Sequence, residues 1–226
     1  MKKKTLTIAI ALVLVVALAV GATYAYLTAK TDKVQNTFAV GSILGNDGEF
    51  TLKEHELANP DATDGAYKVK TGDTGYAADG VTYSAIVPGV NVQKDPTVKV
   101  TDVKTDAYLY VVVDNKLDSA LKATIASDWK FVTNEGTKSL YVYKNTPVAA
   151  GTASVVAPIL DGNKVVVGKN FPANEPAAAN TIDFTAYMVQ SATFDTASDA
   201  WNASPFAAST GIEVETPTPG PVPAEP

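Results

Sequence analysis

Ala107-Tyr108-Leu109-Tyr110-Val111-Val112-Val113 is the stretch that decides the fold. β-Branched and aromatic side chains favour extended backbone. Neither the odd nor the even positions are polar, so a strand here has no face suited to water and belongs in the middle of a sheet covered on both sides. Before it, 97–103 sets Val98, Val100 and Val103 against Lys99, Thr101 and Asp102, which predicts a strand with one face on a core. After it, 138–144 (with Leu140-Tyr141-Val142-Tyr143), 153–159, 164–167 and 181–189 read as further strands, and 146–151 as a turn. Shorter strands are expected at 36–40, 50–53, 66–70 and 81–86, and a last one at Ile212 and Val214. Residues 59–80, rich in Asp, Gly, Thr and Ala, predict a long surface excursion. Two segments read as helical. Leu117, Leu121, Ile125 and Trp129 recur every four residues, and Phe194, Ala197 and Trp201 share one face of 192–202. Many short strands separated by turns, without an internal repeat, predict an all-β sandwich with short helical excursions.

The first residues carry a different signal. Lys2, Lys3 and Lys4 precede an uncharged run over 5–29, nearly all Leu, Ile, Val and Ala from Leu6 to Val20, and small residues close it at Gly21, Ala22 and Ala25. A basic start, an apolar middle and a small-residue exit make a secretory signal peptide, with cleavage expected between Ala25 and Tyr26. An uncleaved anchor is the alternative, because spanning a bilayer takes roughly 20 apolar residues. The expected division is a signal peptide at 1–25, a sandwich at 26–214 and a Pro-rich tail at 215–226, whose composition cannot build a core. The folded part is expected outside the cell membrane, with membrane contact only in transit.

Composition narrows the chemistry. The 226 residues hold 18 Lys and no Arg against 24 Asp and Glu; without the three leading lysines, 15 face 24, a formal charge of −9. An acidic chain without guanidinium groups is a poor partner for nucleic acid. There is no cysteine, which removes disulfides and thiolate metal sites.

Several passages, in order along the mature chain, carry a family resemblance: Gly21-Ala22-Thr23-Tyr24-Ala25-Tyr26-Leu27-Thr28; Asn36-Thr37-Phe38-Ala39-Val40-Gly41; Val87-Pro88-Gly89, then Asp106-Ala107-Tyr108-Leu109-Tyr110-Val111; Trp129 with Tyr141-Val142-Tyr143; and Ala186-Tyr187-Met188-Val189-Gln190 leading to Trp201. Together they resemble the TasA/camelysin group of exported proteins processed by a SipW-type signal peptidase. The resemblance implies a jelly-roll-like β-sandwich deposited at a Gram-positive cell surface or in a biofilm matrix. In filament-forming members an early mature strand inserts into a neighbouring sandwich. Mapped here, the donor falls within 26–40, its inserted part being Asn36, Thr37, Phe38, Ala39 and Val40, with Phe38 and Val40 as anchors on one face. β-Strand addition satisfies an unpaired sheet edge, and head-to-tail pairing grows as a fibre. The other fates are a monomeric surface adhesin, or a camelysin-like metalloprotease.

The protease reading meets an obstacle in the residues themselves. His55-Glu56-Leu57-Ala58-Asn59 begins a helical zinc motif, but Asn59 stands where the second histidine is needed, and His55 is the sole histidine. His55 is therefore read as a surface residue. Asp73-Thr74-Gly75 lacks a second copy and reads as a turn, and Asp61, Asp64, Asp73 and Asp79 lack calcium-loop spacing. Tyr24, Tyr26, Tyr108, Tyr110, Tyr141 and Tyr143, paired at period two, read as cross-strand packing before they read as a sugar platform. No catalytic residue, metal ligand or cofactor is expected, and self-association into filaments is the expected partnership.

Overall fold

The computed structural model describes residues 28–32, 36–37, 43–172 and 180–215. Among them run twelve strands and two short helices: β1 (Thr28–Asp32), β2 (Asn36–Thr37), β3 (Phe50–Lys53), β4 (Val92–Gln93), β5 (Thr97–Thr101), β6 (Ala107–Lys116), β7 (Leu121–Ile125), β8 (Trp129–Glu135), β9 (Lys138–Tyr143), β10 (Ser154–Pro158), β11 (Leu160–Val167), β12 (Thr181–Gln190), α1 (Ala197–Ala203) and α2 (Pro205–Thr210). All ladders are antiparallel. A six-stranded sheet has the order β2-β1-β12-β6-β9-β8; two three-stranded sheets have the orders β10-β5-β3 and β4-β11-β7. The fold is an all-β sandwich.

β6 lies between β12 and β9 in the large sheet, and 107–113 are all buried, as their composition predicts. Its alternation sorts side chains between two cores. Ala107, Leu109, Val111 and Val113 join Phe184, Ala186 and Met188 of β12 in the main core, with Phe50 and Leu52 of β3, Val98 and Val100 of β5, and Val165 and Val167 of β11. Tyr108, Tyr110 and Val112 point the other way, joining Leu140, Val142, Tyr187 and Val189 beneath the helices. The large sheet is thus the middle layer of three, with the small sheets on one face and the helices on the other.

At seven and six residues, α1 and α2 are too short to hold alone in water. Their ends are capped: Thr196 Oγ1 accepts from the Asp199 amide, the Ser204 hydroxyl accepts from the Phe206 amide, and Gly211 closes α2 in the left-handed conformation at φ 72°. Trp201 anchors the layer. It is fully buried, its indole donates to the Ile212 carbonyl at 2.8 Å, and its ring meets Tyr110 and Tyr187 at centroid distances of 5.2 and 5.4 Å. The Tyr110 hydroxyl donates to the Ala197 carbonyl at 2.7 Å, tying α1 to the central strand.

Four expectations need correction. First, the segment 117–129 is not helical: it holds β7 and the start of β8. A spacing of four is also twice the strand period, so Leu121, Ala123 and Ile125 turn inward along β7 while Lys122 and Thr124 face water. Pairing with β11 settles the matter, with Leu121 opposite Val167 and Ala123 opposite Val165. Second, the helical reading of 192–202 starts too early, since α1 begins at Ala197 and α2 follows it. Third, 81–86 keeps its in–out alternation without joining a ladder, and 66–70 contributes only an isolated bridge between Leu57 and Val69. Fourth, Ile212 and Val214 are not a strand. Ile212 packs fully buried near Trp201, and the Asn202 side chain clamps the Val214 backbone at 2.7 and 2.9 Å.

Candidate functional site

Two features carry the functional question: the edge where the first strands pair, and a cleft into the main core.

β1 lies along β12, with Thr28 opposite Val189, Ala29 opposite Met188 and Lys30 opposite Tyr187. β2 then folds back on β1, setting Thr37 opposite Thr31 and Asn36 opposite Asp32. Asn36 and Thr37 therefore stand at the outer end of the large sheet, against their own chain. Phe38, Ala39 and Val40 lie outside the described residues, as do Ala25 and Tyr26 of the expected cleavage site. Without β1, the β12 edge around Tyr187–Val189 would lose its ladder partners, and unpaired strand edges template association. The other end of the sheet is β8, whose Phe131 is 57% exposed and meets Tyr141 edge-on at 5.7 Å.

The excursion after β3 is fastened by His55, and this corrects its reading as a surface residue. Its side chain is 14% exposed. Nδ1 lies 2.7 Å from Asp95 Oδ2 and Nε2 lies 2.7 Å from the Gly72 carbonyl, while the ring stacks on Tyr76 at 4.4 Å. The His55 amide donates to Asp95 Oδ1 at 3.0 Å. Two acceptors facing two ring nitrogens suit the imidazolium, which donates from both. Burial opposes the charge, but the hydrogen bonds to Asp95 and Gly72 and the nearby charges of Asp95 and Asp73 outweigh it, so the pKa is raised. Among the described residues, no three His, Asp or Glu side chains gather as a metal site would require. Asp73-Thr74-Gly75 is a turn, with Gly75 at φ 77° and its carbonyl accepting from the Glu56 amide.

Tyr67, 1% exposed, pins the far part of the same excursion. Its hydroxyl accepts from the Ala85 amide at 2.7 Å, and its ring meets Tyr83 edge-on. Gly65 brings the excursion against Val87. A Cβ there would lie 2.8 Å from the Val87 nitrogen, and φ is 72°, so both space and conformation select glycine.

The cleft, about 550 Å³, opens between the large sheet and the layer of small sheets, bounded by the loop 80–86, β12 and the ends of β3 and β4. Glu54 follows the last residue of β3 and Lys94 the last of β4, and these two meet inside it. Lys94 Nζ lies 2.7 Å from Glu54 Oε2, with both side chains 8% exposed. Lys94 Nζ also stands 6.0 Å from the centre of the Tyr83 ring and 5.9 Å from that of Phe184. Glu54 Oε1 is buried and, among the described residues, has no hydrogen-bond partner. Tyr83 donates its hydroxyl to the Gln93 carbonyl at 2.6 Å; burial, then the charges of Glu54 and Asp95, push its pKa far upward, so it stays a neutral donor. Sequence reasoning missed this site. Glu54 and Lys94 are 40 residues apart, and each reads as an ordinary charge beyond a strand end.

The tyrosines considered as a sugar platform are partly consumed by packing. Tyr108 and Tyr110 are buried beneath α1, and Tyr143 packs edge-on against Trp129 at 5.3 Å.

Comparison with protein-family models, with curated proteins and with solved structures finds no match to this chain in any of the three.

Proposed function

We propose that this chain is a structural subunit of extracellular fibres or matrix at a Gram-positive cell surface, assembling by strand donation. The observation that carries the reading is the place of β1: five residues from the start of the mature chain complete the large sheet by lying along β12. The same ladder made with the β1 of a neighbour would exchange an element without new chemistry, and head-to-tail exchange grows without closing. On this reading the signal peptide takes the chain out through a SipW-type peptidase cutting between Ala25 and Tyr26. Residues 26–40 then supply the donor, and the Pro-rich tail serves as a spacer.

The reading assigns no catalytic centre. Both ring nitrogens of His55 already face Asp95 and Gly72, which leaves the lone imidazole poorly placed to serve a camelysin-like zinc site. The test compares chains beginning at Tyr26 and at Gly41, followed by electron microscopy and light scattering over days. Filaments from the longer chain alone support donation. Monomers in both samples would leave the adhesin reading, and casein cleavage abolished by a chelator would restore the protease.

A further inference from the structure

The excursion after β3 carries an exposed tip at 71–74, which turns at Gly72 with φ 98°. Its two legs are laced to the chain just beyond β3. The Lys70 amide donates to the Glu56 carbonyl, the Glu56 amide to the Gly75 carbonyl and the Ala77 amide to the Glu54 carbonyl. The tip itself is tied by side chains. The Gly72 carbonyl lies 2.7 Å from His55 Nε2, and the Tyr76 hydroxyl reaches the same oxygen only at 3.4 Å. The two ring nitrogens of His55 differ in what they face. Nδ1 lies 2.7 Å from an Asp95 carboxylate oxygen, whereas Nε2 faces a neutral carbonyl. An imidazolium donates to both; a neutral imidazole donates from one nitrogen and presents a lone pair at the other. The bond to a carboxylate is the stronger of the two. The proton that remains therefore belongs on Nδ1, and Nε2 then sets its lone pair against the Gly72 oxygen.

The groups packed around the ring bear on this balance. Burial opposes the cation, while Asp95 beyond β4, the Gly72 carbonyl and Asp73 in the tip favour it. Tyr76 stacks on the imidazole at 4.4 Å, and Lys53 of β3 stands over the Tyr76 ring at 5.1 Å. The acids on either side of His55 in the chain carry their own counter-ions, Glu54 with Lys94 and Glu56 with Lys70. We propose that His55 is a pH-operated latch: as the imidazolium it holds the tip at Gly72, and in its neutral form, protonated on Nδ1, it releases Gly72 while keeping Asp95. The tip is held at and below about pH 6.5, the ordinary value for histidine, and is freed as pH rises through the higher folded value. The legs and the strands stay in place, because their ties are made by backbone groups that do not titrate. The latch is independent of strand donation, since it uses no residue of β1 or β2.

NMR on the full chain without a histidine tag, held in an uncharged detergent, tests this across the alkaline range. His55 is the sole histidine, so its ring signals need no assignment. The nitrogen shifts of the ring give its titration and its neutral tautomer. The carbonyl carbon of Gly72 reports the contact, and carbon relaxation at Gly72 and Thr74 reports the mobility of the tip. The expected result is one midpoint shared by the ring and the Gly72 carbonyl, with the neutral ring protonated on Nδ1. Above that midpoint, order parameters at the tip should fall from about 0.85, the rigid range, to below about 0.6. Asp73→Asn removes a charge that favours the cation, at an exposed position, and should lower both midpoints together. His55→Phe keeps a ring against Tyr76 without the nitrogens, and should leave the tip mobile at every pH. A Gly72 carbonyl that does not follow the ring, a neutral ring protonated on Nε2, or a tip equally ordered on both sides of the midpoint would each overturn the latch. So would loss of the native methyl signals of buried Val111 over the same range, which would mean that the whole sandwich opens and not the tip.

Discussion

His55 presents its two ring nitrogens to two acceptors, and this sets a direction for stability against pH. Its folded pKa is raised above the ordinary value of about 6.5 that it keeps when unfolded. The stabilisation is therefore fully present below about pH 6.5 and is lost as pH rises through the folded value. Urea titrations at pH 6 and pH 9 should show His55→Gln destabilising more at the lower pH, with the gap closing as the wild type loses its proton. A gap that widens toward pH 9 would mean that neutral imidazole is the form the fold prefers. The Glu54–Lys94 pair makes a different statement. Removing one partner strands a buried charge, which typically costs about 3–5 kcal/mol, whereas replacing both by apolar groups is often neutral or stabilising. Glu54→Met and Lys94→Met alone should each lower stability by that order, and the double variant should recover most of it in a denaturant-based cycle. Equal losses for all three would show that the pair is net stabilising in place.

Among elements, the helical layer depends on single residues because neither helix can stand alone. Trp201→Ala removes the buried ring that Tyr110 and Tyr187 pack against, and the carbonyl of Ile212 loses its donor. A loss of about 3–5 kcal/mol is expected, the usual range for deleting a buried aromatic, read as a lower urea midpoint. Ser204 serves both helices. Its hydroxyl donates to the Trp201 carbonyl at 2.7 Å and accepts from the Phe206 amide at 3.3 Å. Ser204→Ala should cost about 1 kcal/mol, the ordinary worth of an N-cap; no change in midpoint would assign the helix boundary to packing alone. β7 teaches a complementary lesson. Its apolar spacing of four fitted either period, and the ladder with β11 chose the strand.

For the whole molecule, strand donation makes a prediction separate from filament counting. If β1 completes the sheet as a transferable part, a peptide of residues 26–40 should bind the chain beginning at Gly41 and raise its midpoint temperature with peptide concentration. The logarithmic form follows from binding to the folded state alone. A scrambled peptide should do nothing. A midpoint unmoved by the native peptide up to millimolar concentration would mean that the pairing cannot be made between separate chains.

What the amino-acid order by itself determined was the sandwich. Local sterics favour strands in Val- and Tyr-rich runs, and the two-sided apolarity of 107–113 requires cover on both faces, so β6 was placed at the centre of a sheet before any contact was known. Trp201 was legible as the inward face of a helix for the same local reason. Tertiary structure alone decided the rest. Whether 121–125 is helix or strand turned on a partner strand 35 or more residues away, the two-sided fastening of His55 turned on Asp95 and Gly72, and the buried ion pair arose where Glu54, beyond β3, met Lys94, beyond β4. Periodicity records which way a side chain faces along its own segment. It carries no information about which distant segment arrives to meet it, and buried polar pairs are made only by such arrivals.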